Sequence, residues 1–363
     1  MSVFLRERDL CMQEPTCPEA NASDEANASD LSERVRALAP MLADADPRVR
    51  KSAVIALGRM ACPEATRALC ERLGDPVEGV RVLACQALGR VADPQSIPSL
   101  LARVHDESVE VRAGVLWALA NVVAHGNLAD DARQALFSPV VVMAFDPDDG
   151  VRADAAAVLG SLRDPRAADA LAVLLEDACP RVRANACASL GLLDDAPGAE
   201  ALLTVVESPS EGPLVLVSAL DGLARRAGRH KPGSAGPYMA RAVAAACALA
   251  RTPEVPDALP ADDGPSAFDV RATALWSLGM TVPLAPECGE MAVEVLSGAL
   301  EDTDSWARRY AIEALARIHS EEARSVLEDW AERVQAHCGQ PGVPPDEETM
   351  RVLCQALETF EGR

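Results

Sequence analysis

The chain has 363 residues, is 49% hydrophobic but only 3% aromatic, and carries a formal net charge of −22 at pH 7. That charge argues against DNA or RNA as the main ligand, because phosphate binding needs clustered Lys and Arg and like charges repel. No apolar run reaches the ~20 residues of a membrane span, and the N-terminus lacks a charged-then-apolar signal pattern, so no membrane contact and a cytoplasmic location are expected.

Residues 1–30 come first. MSVFLRERDL is compatible with a short helix, but CMQEPTCPEANASDEANASD is polar, acidic and self-similar. Such a segment cannot bury enough apolar surface to offset chain entropy, so it reads as a disordered tail. It holds NAS triplets at Asn21 and Asn27 and two thiols, Cys11 and Cys17. The eleven cysteines are odd in number, irregularly spaced and never in a CxxC, which argues for reduced thiols over a disulfide frame or a zinc site.

From Leu31 the chain repeats itself. LSERVRALAPML reads as a lone helix that covers the first full unit. DADPRVRKSAVIALG, DPVEGVRVLACQALG, DPDDGVRADAAAVLG and EDACPRVRANACASLG are near-copies. With the Arg of VR set as zero, eight first helices align on Arg50, Arg81, Arg112, Arg152, Arg183, Leu216, Arg271 and Arg308. Leu lies seven residues past zero in all eight, Ala three past zero in seven, and Val one before zero in seven. Those positions are i, i+4 and i+8, one face of an α-helix. A second amphipathic helix follows each, as in PEATRALCERL and PRAADALAVLLE. Gly at +8 in five units is read as a helix C-cap. The fold class that follows is all-α: an α-solenoid of about eight helix-pair repeats in a right-handed superhelix. Its expected blocks are repeats over 31–224, an irregular insertion with one helix over 225–268, and repeats with a capping helix over 269–363.

Asp stands six residues before the Arg at Asp44, Asp75, Asp106, Asp146, Asp177 and Asp302. Together with Arg50, Arg81, Arg112, Arg152, Arg183 and Arg308 these predict a structural ladder. Each carboxylate would pair with a guanidinium of its own or the next unit, since buried charges must be paired and Arg suits a forked partner.

In unit six the pattern changes, with Leu216 at zero, and the chain runs into RRAGRHKPGSAGP. Arg225, Arg226, Arg229, His230 and Lys231 form the one basic cluster of an acidic chain. They are the candidate seat for an anion or an acidic partner segment. Trp117 and Trp276, both five past zero, are read as core filling, although Trp also serves as a binding anchor.

Units of the form D-x5-R-x2-A-x3-LG resemble the phycobilisome-lyase type of HEAT-like repeat over roughly residues 31–337. The resemblance implies a helical-repeat scaffold and opens a second reading, an auxiliary protein that handles a bilin or other tetrapyrrole. Deoxyhypusine hydroxylase uses a similar repeat and binds two irons through His-Glu pairs placed directly after the repeat Arg. The matching positions here, from Lys51-Ser52 to Arg309-Tyr310, never read His-Glu. No catalytic residue, metal ligand or cofactor is therefore expected. The expected function is a non-catalytic scaffold binding a protein partner, for which the acidic charge suits a basic one, along a concave face lined by the second helices.

Overall fold

Each repeat unit folds into a pair of helices. The computed structural model describes residues 33–126, 128–193, 196–208, 210–229, 238–251, 270–302, 304–336 and 347–361. The tail with Cys11 and Cys17 lies outside them. A helix over 33–42, α1, leads in. The first helices are α2 (Pro47–Met60), α4 (Glu78–Val91), α6 (Val109–His125), α8 (Asp149–Leu162), α10 (Pro180–Leu190), α12 (Pro213–Ala227), α14 (Val270–Thr281) and α16 (Ser305–Ile318). Their second helices are α3 (Thr66–Arg72), α5 (Ile97–Leu101), α7 (Asp130–Met143), α9 (Ala167–Leu174), α11 (Ala196–Val206), α13 (Tyr238–Arg251), α15 (Gly289–Ala299) and α17 (Glu321–Ala336). The last helix, α18 (Glu347–Glu361), packs on α16 and α17. Among the described residues there is no strand, and the pairs form an α-solenoid.

The +7 leucines explain why the pairs hold. All eight, from Leu57 to Leu315, are at most 1% exposed. Full burial of such a side chain is worth about 1.5–3 kcal/mol. Helix starts are fixed locally: the Asp46 carboxylate accepts from the Arg48 N–H at 2.8 Å and that of Asp304 from the Trp306 N–H at 3.1 Å, as N-cap residues do.

The repeated glycines correct the expectation that they cap. Gly58, Gly89, Gly160 and Gly279 lie inside their helices, and only Gly191 occupies a C-cap. What they share is contact with the next first helix. A methyl group added at Gly58 would stand 2.8 Å from Ala87 Cβ, one at Gly191 2.5 Å from Gly222 Cα, and one at Gly279 2.8 Å from Ala314 Cα. The first helices thus touch nearly backbone to backbone. The helix ends that do turn left-handed come three residues later, at Ala61 (φ 47°), Ala92 (φ 52°), Arg163 (φ 53°) and His319 (φ 56°). None of them is a glycine.

Helix α13 was expected as part of an irregular insertion. It packs beside α11 and α15, in the second-helix row, and completes the pair begun by α12. The chain divides into two compact units, one up to Val158 and one from Leu159.

Candidate functional site

The most regular polar feature is the row of turns before the first helices. In each turn the Asp carboxylate first fixes its own loop. Oδ1 accepts the N–H two residues on, at 2.8 Å for Asp44, 2.9 Å for Asp75, 3.1 Å for Asp106, 2.9 Å for Asp146, 2.8 Å for Asp177 and 2.9 Å for Asp302. The repeat Arg then joins two loops. Its Nη1 donates to the carbonyl of its own loop's Asp, at 2.9 Å for Arg50, 3.1 Å for Arg81, 2.9 Å for Arg112, 3.0 Å for Arg152, 2.8 Å for Arg183 and 2.7 Å for Arg308. The other side of the guanidinium reaches forward. Arg50 takes Asp75 through Nε (2.7 Å) and Nη2 (2.8 Å), and Arg81 takes Asp106 at 2.9 Å. Arg112 takes Asp146 at 2.7 and 2.8 Å, and Arg271 takes Asp302 at 2.7 Å.

Of the two pairings the sequence left open, the described rungs use the forward one: a carboxylate serves the guanidinium of the preceding repeat. Burial works against ionisation of Asp75 and Asp146. The guanidinium and backbone N–H donors outweigh it, and both carboxyls are held below their ordinary value. These side chains are committed to one another, which makes the row a connector and leaves it no acid–base chemistry to offer.

Sequence reasoning missed one member. Unit six has no Asp at the repeat position, yet Arg183 still finds a carboxylate, that of Glu211, at 3.0 Å. Glu211 lies one residue later than the pattern allows, and its longer side chain makes up the offset.

The basic cluster is the larger departure. Arg226 is only 2% exposed, and its guanidinium points inward, donating to the carbonyls of Leu190 (2.9 Å) and Leu193. Arg229 donates to Gly191 (2.8 Å) and Leu193 (3.2 Å), and Arg225 pairs with Asp221 at 2.6 Å. Arg226 and Arg229 thus close the C-terminal end of α10, where unpaired carbonyls and the helix dipole attract cations. The expected anion seat is corrected for Arg226, whose charge does not reach the surface. His230 and Lys231 lie outside the described residues.

Among the described residues the three most exposed large apolar side chains lie on or beside second helices, while Val109 of α6 and Trp306 of α16 are less exposed. Val142 and Phe145, on and just past α7, are each 53% exposed, and Val173 on α9 is 58% exposed. Arg241 of α13 ties to Glu200 of α11 (2.7 Å) and to Glu207 just past it (2.8 Å). Trp330 is buried and Trp276 half-buried. Trp117 lies over Gly89 between α4 and α6, where a larger residue would collide with its ring. Trp306 is partly exposed and stacks on Arg309, 5.1 Å from ring centre to guanidinium carbon. Among the described residues no three or more His, Cys, Asp or Glu side chains cluster as metal ligands, and no helix is long and apolar enough to cross a membrane.

The HEAT repeats profile matches residues 35–136, 138–224 and 261–336, most of the chain. The protein belongs to the HEAT-repeat family. Among solved structures, the HEAT chain is similar to importin beta in an ammonium sulfate condition, with a TM-score of 0.63 at 16% identity over 90% of this chain. It spans about half of that protein, 48%. An engineered structural-genomics protein aligns over 94% of this chain and 92% of its own, at 23% identity and a TM-score of 0.47. No curated protein matches the chain.

Proposed function

We propose that this HEAT-repeat chain is a non-catalytic scaffold, of the phycobilisome-lyase repeat type, that binds a protein partner on its second-helix surface. One observation carries the reading: among the described residues the most exposed large apolar side chains lie on or beside second helices, Val142 and Phe145 three residues apart at the end of α7 and Val173 on α9. Large exposed apolar side chains that come grouped, as Val142 and Phe145 do, are characteristic of interaction sites. The first helices from α4 on, by contrast, largely spend their small residues on one another, and the described rungs of the polar row at their starts are paired. Free thiols at every described cysteine are in keeping with a reducing, cytoplasmic compartment.

The test is a crosslinking pull-down from native lysate, comparing the wild type with Val142→Glu/Phe145→Glu. Loss of one dominant protein from the variant supports the reading. Identical captures with both baits sink it, as does a bait that enriches no protein but carries a pigment.

A further inference from the structure

Among the described residues α18 packs on α16, whereas no first helix packs on the leading side of α2. Each +8 glycine meets the +6 residue of the next first helix: Gly58 meets Ala87, Gly89 meets Ala118 and Gly279 meets Ala314. In α4, α6, α10, α12 and α16 the +6 residue therefore faces the helix before it. For α2 that residue is Ala56, and no first helix precedes α2 among the described residues. Helix α1 is a second-type helix, since Leu38, Leu42 and Asp44 repeat as Leu69, Leu73 and Asp75 with the 31-residue period. Burial agrees: Ala56 and Ile55 are half-buried, whereas Ala87, Ala118 and Ala314 are closed off. The ladder stops at the same edge. Asp44 is exposed, its Oδ1 already set by the Asp46 N–H at 2.8 Å, and no described guanidinium pairs with its carboxylate.

We infer that this edge, made by Asp44, Ile55 and Ala56, is a docking seat for a helix of a partner protein that carries an arginine and, eight residues later, a glycine or alanine. The Arg supplies the fork that Asp75 and Asp146 receive from Arg50 and Arg112. The small residue lets the helix approach Ala56 as Gly58 approaches Ala87. The partner's chemistry follows from charge and spacing together, because an arginine without the small residue would be held off by its own side chains.

Two other occupants fit poorly. Residues 1–32 hold Arg6 and Arg8, but the residues eight further on are Glu14 and Thr16. A second copy stacked head to tail would present α18. Its buried Thr349, Leu353 and Ala356 set the register, which puts Met350 in the arginine position and Glu358 at +8.

This inference deepens the scaffold reading and rests on it, while using a different surface. The probe is a helix-stapled peptide of residues 75–92, which carries Arg81 and Gly89; stapling is needed because isolated helices this short are marginal in water. Binding to the full-length protein is followed by fluorescence anisotropy, with hydrogen exchange of α2 as a second readout. Saturable binding is expected, weakened tenfold or more by Asp44→Asn, by Ala56→Trp and by Arg81→Gln in the peptide, with α2 amides slowed in the complex. Asp44 is exposed and Ala56 half-buried, so both protein variants keep the fold, which circular dichroism checks. Absence of binding overturns the inference, as does equal affinity for the Asp44→Asn and Ala56→Trp proteins. The Val142→Glu/Phe145→Glu protein is expected to bind the peptide normally. A failure at this edge therefore leaves the second-helix surface standing, and a failure there leaves the edge standing.

Discussion

Arg112 closes on Asp146 across 34 residues of sequence through a two-point fork, Nε to Oδ2 at 2.7 Å and Nη2 to Oδ1 at 2.8 Å. Both side chains are nearly enclosed, at 11% and 8% exposed. Removing one partner of a buried pair leaves an uncompensated charge and costs about 3 kcal/mol. Asp146→Asn is expected to lose about that much in urea unfolding. Arg112→Met/Asp146→Leu, which removes both charges, is expected to recover most of it. Equal losses in the two proteins would show that the pair is not the source.

The same carboxylates set the response to acid. The native carboxyls of Asp75 and Asp146 lie below their ordinary value, so the unfolded chain takes up protons first as pH falls. Their contribution is complete above the unfolded carboxyl pKa of about 3.9 and is lost as pH drops from there through the depressed native value. Thermal midpoints measured from pH 7 to 2.5 should stay level with respect to these groups until about pH 4 and then fall. In Asp146→Asn that acid-side fall should be shallower.

Glycine substitutions should separate by what surrounds them. At Gly191 a new Cβ would stand 2.5 Å from Gly222 Cα, and Gly191→Ala is expected to cost about 1–3 kcal/mol through overpacking. Gly298, on α15, has nothing within 4 Å of such a Cβ, and Gly298→Ala should gain about 0.5–1 kcal/mol of helix propensity. Ala61 and Ala92 invert the logic. Their left-handed φ values of 47° and 52° strain an L side chain. Ala61→Gly and Ala92→Gly should each stabilise by about 0.5 kcal/mol, the relief of strain exceeding the added chain entropy. Thermal unfolding checks all four.

Thiol reactivity should follow burial. Burial pushes the thiols of Cys85 and Cys187 up to about 12 and that of Cys247 up to about 11, while Cys354 on α18 is exposed. Only the thiolate reacts with alkylating reagents. Timed iodoacetamide labelling at pH 8, read by peptide mass spectrometry, should modify Cys354 within minutes. Cys85, Cys187 and Cys247 should remain unmodified until the chain is denatured.

The fold was legible because its cause is periodic. Leu57, Leu88 and Leu119 recur at a fixed offset, and an offset of 31 residues returns each to the same face of the same helix. The direction of the ladder was not legible, since Arg50 stands in the sequence with Asp44 behind it and Asp75 ahead, and only loop geometry decides. Gly58 was misread because glycine serves both left-handed caps and close helix contacts, and the two uses look alike in one dimension. Arg226 was misread for a related reason. A run of basic residues tells nothing of which guanidinium turns inward, and the carbonyls at the end of α10 that claim Arg226 lie more than 30 residues earlier.

Because Arg50, Arg81 and Arg112 each reach forward to the Asp of the following turn, these rungs are interchangeable parts. Excision of residues 75–105 would remove one whole period and bring Arg50 opposite Asp106, the same fork on the same kind of turn. The +8 glycine of α2 would then meet Ala118 in place of Ala87. A protein assembled this way can change its length by whole periods without inventing a new joint, so the number of repeats is free to follow the size of whatever it holds.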